Sequence, residues 1–183
     1  CEGQQFDMNF EKMLEVSLNN YIDMIGLKTA VLLGFSMYLG ARIGGADMED
    51  AQKLYDAALN LGISFQIKDD YLDVFGQQDK VGKQVGGDIV ANKKTYLLLN
   101  ALEKATHEDK VQLNTLLHNE VNKEEKVKEV TKIYENLMIR ELTEKAIDAY
   151  FERSIMLLDQ LNVPVSKKEF IKKYFTELKN REF

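Results

Sequence analysis

Residues 61–95 read LGISFQIKDDYLDVFGQQDKVGKQVGGDIVANKKT, and this stretch decides the fold. On a helix turning about 100° per residue, Gly62, Gln66, Asp69, Asp70 and Asp73 fall within an arc of roughly 100°. Ile63, Ile67, Tyr71 and Val74 border that arc on one side; Leu61, Phe65, Leu72 and Phe75 border it on the other. An ordinary surface helix has one apolar stripe and a broad wet face opposite it. Acids bordered by apolar residues on both sides predict a helix set inside a bundle, its carboxylates turned into a polar cavity.

Like charges four residues apart weaken a helix, and burying them uncompensated costs far more. A hard divalent cation resolves the conflict. Carboxylate oxygens suit Mg²⁺, which keeps several waters and is commonly shared with substrate phosphates. Immediately downstream, Gly82-Lys83 and Gly86-Gly87-Asp88 form a glycine-rich basic loop that ends in Asn92-Lys93-Lys94-Thr95. Glycine lets backbone approach a ligand closely and lysine supplies a point charge for phosphate. Acids on a helix and lysines on the next loop suggest a metal–diphosphate site. The plainer alternative is a solvated acidic helix end followed by a flexible loop, and the apolar borders argue against it.

Phe65-Gln66-Ile67-Lys68-Asp69-Asp70-Tyr71-Leu72-Asp73 resembles the FQxxDDxxD motif of the trans-isoprenyl diphosphate synthases, the polyprenyl synthetase family, and GKQVGGDIVANKKT is similar to the lysine–glycine–aspartate loop that follows it there. The resemblance implies an all-α, isoprenoid synthase-type helical bundle. It implies a prenyltransferase that joins an allylic diphosphate to isopentenyl diphosphate, with Mg²⁺ drawing charge from the leaving group. Asp69 is then the foremost metal ligand, with Asp70 and Asp73 binding directly or through water. Lys83 and Lys93 correspond to the family's diphosphate-binding lysines, and Gln66 to a residue near the allylic diphosphate and the cation.

Two more elements carry the likeness. Lys28-Thr29 stands where the family has a KT pair: the lysine contacts the allylic diphosphate and the threonine helps stabilise developing carbocation charge. Gly3-Gln4-Gln5-Phe6-Asp7 resembles GQxxD, which assigns Gln4 to the diphosphate and Asp7 to the metal. Lys28 has apolar neighbours and is expected in a mostly buried helix, although a lysine snorkelling at a helix surface fits the residues alone.

The family's first aspartate-rich motif has no counterpart here, since Asp47-Met48-Glu49-Asp50 is misplaced and too short. The upstream residues that bind isopentenyl diphosphate are missing too. The chain is therefore expected to be the C-terminal part of a longer synthase, a single all-α domain fragment over 1–183, inactive alone and completed by its N-terminal part. Its beginning, Cys-Glu-Gly-Gln-Gln without an initiator Met, agrees with that expectation. The whole protein is expected to be a cytoplasmic homodimer. Two alternatives stay open: a non-catalytic partner subunit of a synthase, and a class I terpene cyclase, whose second metal motif would differ from DDYLD.

The remaining composition bounds other functions. With 183 residues, 45% apolar and 30% charged, the chain can bury a real core. A net charge of −6 argues against nucleic acid as a partner. One cysteine, Cys1, excludes an internal disulfide framework and suits a reducing compartment. The most apolar run, Ala30–Leu39, is too short to span a membrane.

Helical periodicity covers nearly everything. It predicts helices over about Phe6–Asn19, Tyr21–Ile43, Met48–Phe75, Lys93–Thr106, Glu108–Val121 and Lys123–Leu161 (boundaries to within a turn). A last helix, capped by Ser166, runs to about Lys179. Gly44-Gly45-Ala46-Asp47 supplies a stop and a new N-cap. His107 and His118 read as surface residues, the 123–129 run as a wet helix face, and Met13, Met24, Met37, Met138 and Met156 as core filler. The C-terminal 179–183 segment is expected to fray.

Overall fold

The structure is a computed structural model, and it describes residues 1–13, 15–76, 85–119 and 122–181. Among these residues there is no strand. The helices are α1 (Glu2–Phe10), α2 (Leu18–Ile25), α3 (Val31–Ile43), α4 (Met48–Phe75), α5 (Gly87–Val90), α6 (Tyr96–Lys104), α7 (His107–His118), α8 (Lys123–Asn136), α9 (Ile139–Asp159) and α10 (Val165–Lys179). A π-helical segment, Gly26–Ala30, joins α2 to α3.

Start and stop signals explain most boundaries. At the end of α3, Gly45 takes φ 87°, its N–H donates to Arg42 O and that of Ala46 to Ala41 O, a Schellman stop. Asp47 Oδ1 then accepts from the N–H of Asp50, 2.8 Å away, and opens α4 where the sequence predicts it. Thr106 and Asp109 form a capping box on α7.

Other expectations are corrected. The first helix ends at Phe10, and α2 starts earlier because Ser17 Oγ accepts from Asn20 N–H. The helix expected from Lys93 starts at Tyr96, N-capped by Thr95. The long 123–161 helix breaks after Asn136, where Met138 takes φ 56°. No Gly or Pro marks that break; the fully buried Ile139 and exposed Met138 mark it instead. The last helix opens on Pro164 with no side-chain cap, not on Ser166. Met13, Met138 and Met156 are exposed, whereas Met24 is buried. Ala30–Leu39 is only the middle of a 26-residue helical run, Leu18–Ile43, long and apolar enough by composition to cross a membrane. Close glycine contacts, described below, pack the middle of that run, while Leu32, Phe35, Leu39 and Ile43 on it stay exposed.

Two compact units emerge. One comprises Cys1–Phe6, Ile22–Gln66 and Ala146–Arg181; the other contains Asp7–Tyr21 and Ile67–Lys145. In the first, Ala57, Ala58 and Leu61 of α4 pack with Leu158, Leu161 and Phe175, and Leu33, Met37 and Phe151 close around them. The small alanines let α4 approach its neighbours closely. Arg181 stacks its guanidinium 3.4 Å from the centre of the Phe65 ring, so the chain near its end is docked up to that residue, where fraying was expected. In the second unit the buried apolar residues include Ile67 and Val74 of α4, Leu97 and Leu98 of α6, Leu113 of α7, Val130 and Ile133 of α8 and Ile139 of α9.

Candidate active site

The second unit holds the acid stripe. Its three aspartates have unlike surroundings. Asp70 is buried, and its Oδ2 accepts from the Tyr21 hydroxyl at 2.5 Å and from the Tyr96 backbone N–H at 2.9 Å. Tyr96 is the first residue of α6, so this carboxylate meets one of the amides a helix start leaves unpaired. Burial, and then the Asp70 charge, push the Tyr21 phenol well above its ordinary value, so it stays protonated and donates. Asp69 and Asp73 are half-buried.

Asp73 grips the following loop twice. Its carbonyl accepts from Gly86 N–H at 2.6 Å and its Oδ2 from Asp88 N–H at 2.9 Å. Burial raises the Asp73 carboxyl above the usual range, and the amide of Asp88 opposes that rise. Asp88 in turn pairs with Lys93 Nζ at 2.6 Å. Lys93 is raised above its ordinary value by that bond, and more weakly by Asp7 and Asp70. Acid stripe, glycine turn and lysine are thus physically joined. Lys83, Gly82 and the rest of 77–84 lie outside the described residues.

The first unit holds the other set. The Thr29 hydroxyl donates to Gln66 Oε1 at 3.1 Å. Lys28 is exposed, against the expectation of burial, because this side of the helix also leaves Leu27, Leu32 and Phe35 exposed. Both Lys28 and Thr29 sit in the π segment, a geometry that is rare and frequent at functional sites. Two glycines hold it. A Cβ on Gly3 would stand 2.2 Å from Lys28 N, and one on Gly62 would stand 2.7 Å from Ala30 Cα. The glycine of the GQxxD element is therefore a contact surface for the KT segment, while Gln4 is exposed.

The donor set can be tested for a metal. Asp69 and Asp73, half-buried carboxylates one helical turn apart with no sulfur or imidazole beside them in the motif, suit a hard cation that keeps its waters. Among the described residues, no group of three or more His, Cys, Asp or Glu could hold a metal ion. Among the described residues the acid stripe thus offers the half-buried Asp69 and Asp73, beside the buried and hydrogen-bonded Asp70, and no closed cage.

Sequence reasoning missed Tyr21, Tyr134 and Lys126. Tyr134 is fully buried and held protonated by burial and then by the charges of Asp70, Asp73 and Asp88. Lys126 belongs to the run expected to be a wet face, yet it is buried with its ammonium 2.5 Å from Asn92 Oδ1. The only sequence signal was Val130, Ile133 and Tyr134 on the same side of that helix.

This arrangement defines an all-helical protein with an aspartate helix, a lysine loop and a KT segment. The family model for polyprenyl synthetases matches residues 1–135, and the chain belongs to that family. It is 38% identical to the geranylgeranyl diphosphate synthase of Saccharolobus solfataricus over 168 residues, 91% of this chain and 49% of that protein. It is 39% identical to the short chain isoprenyl diphosphate synthase of Methanothermobacter thermautotrophicus over 135 residues, 74% of this chain and 41% of that protein. A crystal structure of a geranylgeranyl pyrophosphate synthase superposes with a TM-score of 0.91 at 35% identity, covering 100% of this chain and 57% of that one. The Corynebacterium glutamicum geranylgeranyl pyrophosphate synthase, solved with isoprenyl diphosphate and magnesium, superposes at 0.88 with 26% identity, covering 98% and 51%. The chain thus spans about half the length of the relatives it matches.

Proposed function

We propose that this chain is the part of a prenyl diphosphate synthase that carries the second aspartate motif and the allylic diphosphate contacts. One observation supports the reading above others: Asp73 binds the Asp88 amide while the Asp88 carboxylate pairs with Lys93, which fastens the acid helix to the basic loop. A diphosphate needs that combination of cation-binding oxygens and lysine charge.

The whole protein joins an allylic diphosphate to isopentenyl diphosphate. The allylic C–O bond breaks with its electron pair leaving on diphosphate, the alkene of isopentenyl diphosphate bonds to the resulting cation, and a proton is lost. Asp69 and Asp73, with Asp7 as a further ligand, would hold Mg²⁺, which would supply positive charge to the leaving group. Lys28, Lys93 and Lys83 neutralise diphosphate oxygens where charge develops, and Gln4 adds an amide. Thr29, fixed by Gln66, offers its oxygens to the cation. Asp70 braces the helix beneath. In this reading the whole protein is a cytoplasmic homodimer; the single cysteine of this chain suits a reducing compartment.

The test is a condensation assay on the protein expressed from its whole gene, with both diphosphates and Mg²⁺. Longer prenyl diphosphates should form, chelation should stop the reaction, and Asp69→Asn should lower kcat by about 10²–10³-fold. A folded protein that binds both diphosphates without condensing them would instead be a partner subunit.

A further inference from the structure

The helix α5 is four residues long and is bracketed by two left-handed residues, Gly86 at φ 86° and Asn92 at φ 55°. At its end Asn92 N–H donates to Ile89 O and Lys93 N–H to Asp88 O, the pairings of a Schellman stop with Asn92 at the left-handed position. Glycine takes that conformation freely; asparagine takes it at some cost, which hydrogen bonds to its short amide offset. Support comes from one turn of α8. A Cβ on Gly86 would stand 2.6 Å from both γ-methyls of Val127, so α8 presses directly on the start of the turn. The adjacent Lys126 reaches the other end and donates to Asn92 Oδ1, while Asn92 Nδ2 donates to Leu117 O at 2.9 Å.

Lys126 is 7% exposed, and among the described residues it makes no ion pair. A lysine is almost never buried so fully without a partner, and here the partner is the amide of a strained backbone position. Its ammonium is engaged below the surface, whereas Lys93, the next residue after Asn92, is exposed and paired with Asp88.

We propose that Lys126 is a positioning residue for the reaction: by holding Asn92 left-handed it sets where Lys93 stands, and so tunes the affinity of the diphosphate site. This rests on the reading that Lys93 meets diphosphate.

The experiment uses the protein expressed from its whole gene. Lys126→Met keeps the buried stem and removes the donor. It should raise KM for the allylic diphosphate by about tenfold while kcat changes by less than about threefold. Adding Asn92→Gly in the same protein should bring KM back to within about twofold of wild type, because glycine holds φ 55° unaided. A KM unaffected by Lys126→Met would overturn the proposal, as would a defect that Asn92→Gly does not relieve. Where Lys126→Met alone does not fold, Asn92→Ala and Asn92→Gly carry the test. Both lose the amide that meets Lys126, so KM should rise in the alanine variant only, and equal values overturn the proposal. If the wild-type protein condenses no prenyl diphosphates, the functional reading fails by itself. Calorimetric titration with inorganic pyrophosphate and Mg²⁺ then decides the positioning claim: Lys126→Met should bind more weakly than Lys126→Met with Asn92→Gly, and equal affinities overturn it.

Discussion

Asp70 Oδ2 accepts from a phenol of α2 and from the first amide of α6, so this carboxylate fixes three helices to one point. Its neighbours Asp69 and Asp73 are half-buried, and Asp73 accepts from the Asp88 amide. Removing the phenol in Tyr21→Phe leaves a buried acceptor short of one bond and should cost about 1–3 kcal/mol in urea denaturation. The effect should depend on pH with a definite sign. The folded phenol is raised above its ordinary value by burial and by Asp70, so its contribution is fully present below the unfolded tyrosine value of about 10 and fades as pH rises through the folded value. Wild type and Tyr21→Phe should differ most near pH 8 and converge at alkaline pH. A gap that widened there would contradict the assignment. The acid stripe itself was legible from spacing alone, because aspartates at 69, 70 and 73 share a helix face. Their unlike surroundings were not, since they depend on a tyrosine 49 positions upstream. Lys126 was misread for the same reason: a charge-rich run looks wet until its long-range contacts are known.

Elements were readable where backbone chemistry is local. Gly45 at φ 87° and Asp47 as a cap are written in the sequence as GGAD, and α4 begins and ends where the pattern puts it. The break at Met138 and the π segment were not readable, because packing imposes both on residues of ordinary helical type. The π segment in particular is defined by glycines elsewhere. Gly62→Ala would drive a methyl to 2.7 Å from Ala30 Cα and should destabilise by about 1–3 kcal/mol. Gly40 lies in α3 with nothing within 4 Å of where its Cβ would be. Gly40→Ala should therefore stabilise by about 0.5–1 kcal/mol, since only the unfolded chain loses freedom. Paired denaturation curves check both signs. If both substitutions moved stability the same way, close packing would not be what holds the segment.

For the chain as a whole, α3 carries a conspicuous apolar edge. Leu32, Phe35, Leu39 and Ile43 follow a helical spacing, and Leu32 and Ile43 are 72% and 79% exposed. Contiguous apolar surface of this kind marks an interaction face or an aggregation liability. The 183-residue chain should self-associate at micromolar concentration, and Leu32→Lys with Ile43→Glu should return it to monomer in sedimentation velocity. Unchanged association would assign the contact to another face. All-α architecture was legible from periodicity; the exposure of this edge was not, because an apolar stripe on a helix reads as core until the packing around it is known.

The π segment also has a consequence in the currency of genes. A π turn holds one residue more than the α turn it replaces, and the helix on either side keeps its direction. Loss of a single codon at Gly26 would therefore leave α2 and α3 in register and join them through an ordinary turn. Such a protein would keep its helices and lose only the π turn that holds Lys28 and Thr29. At this one spot a frame-preserving deletion, usually ruinous within a helix, would leave the fold standing and displace only the Lys28-Thr29 pair.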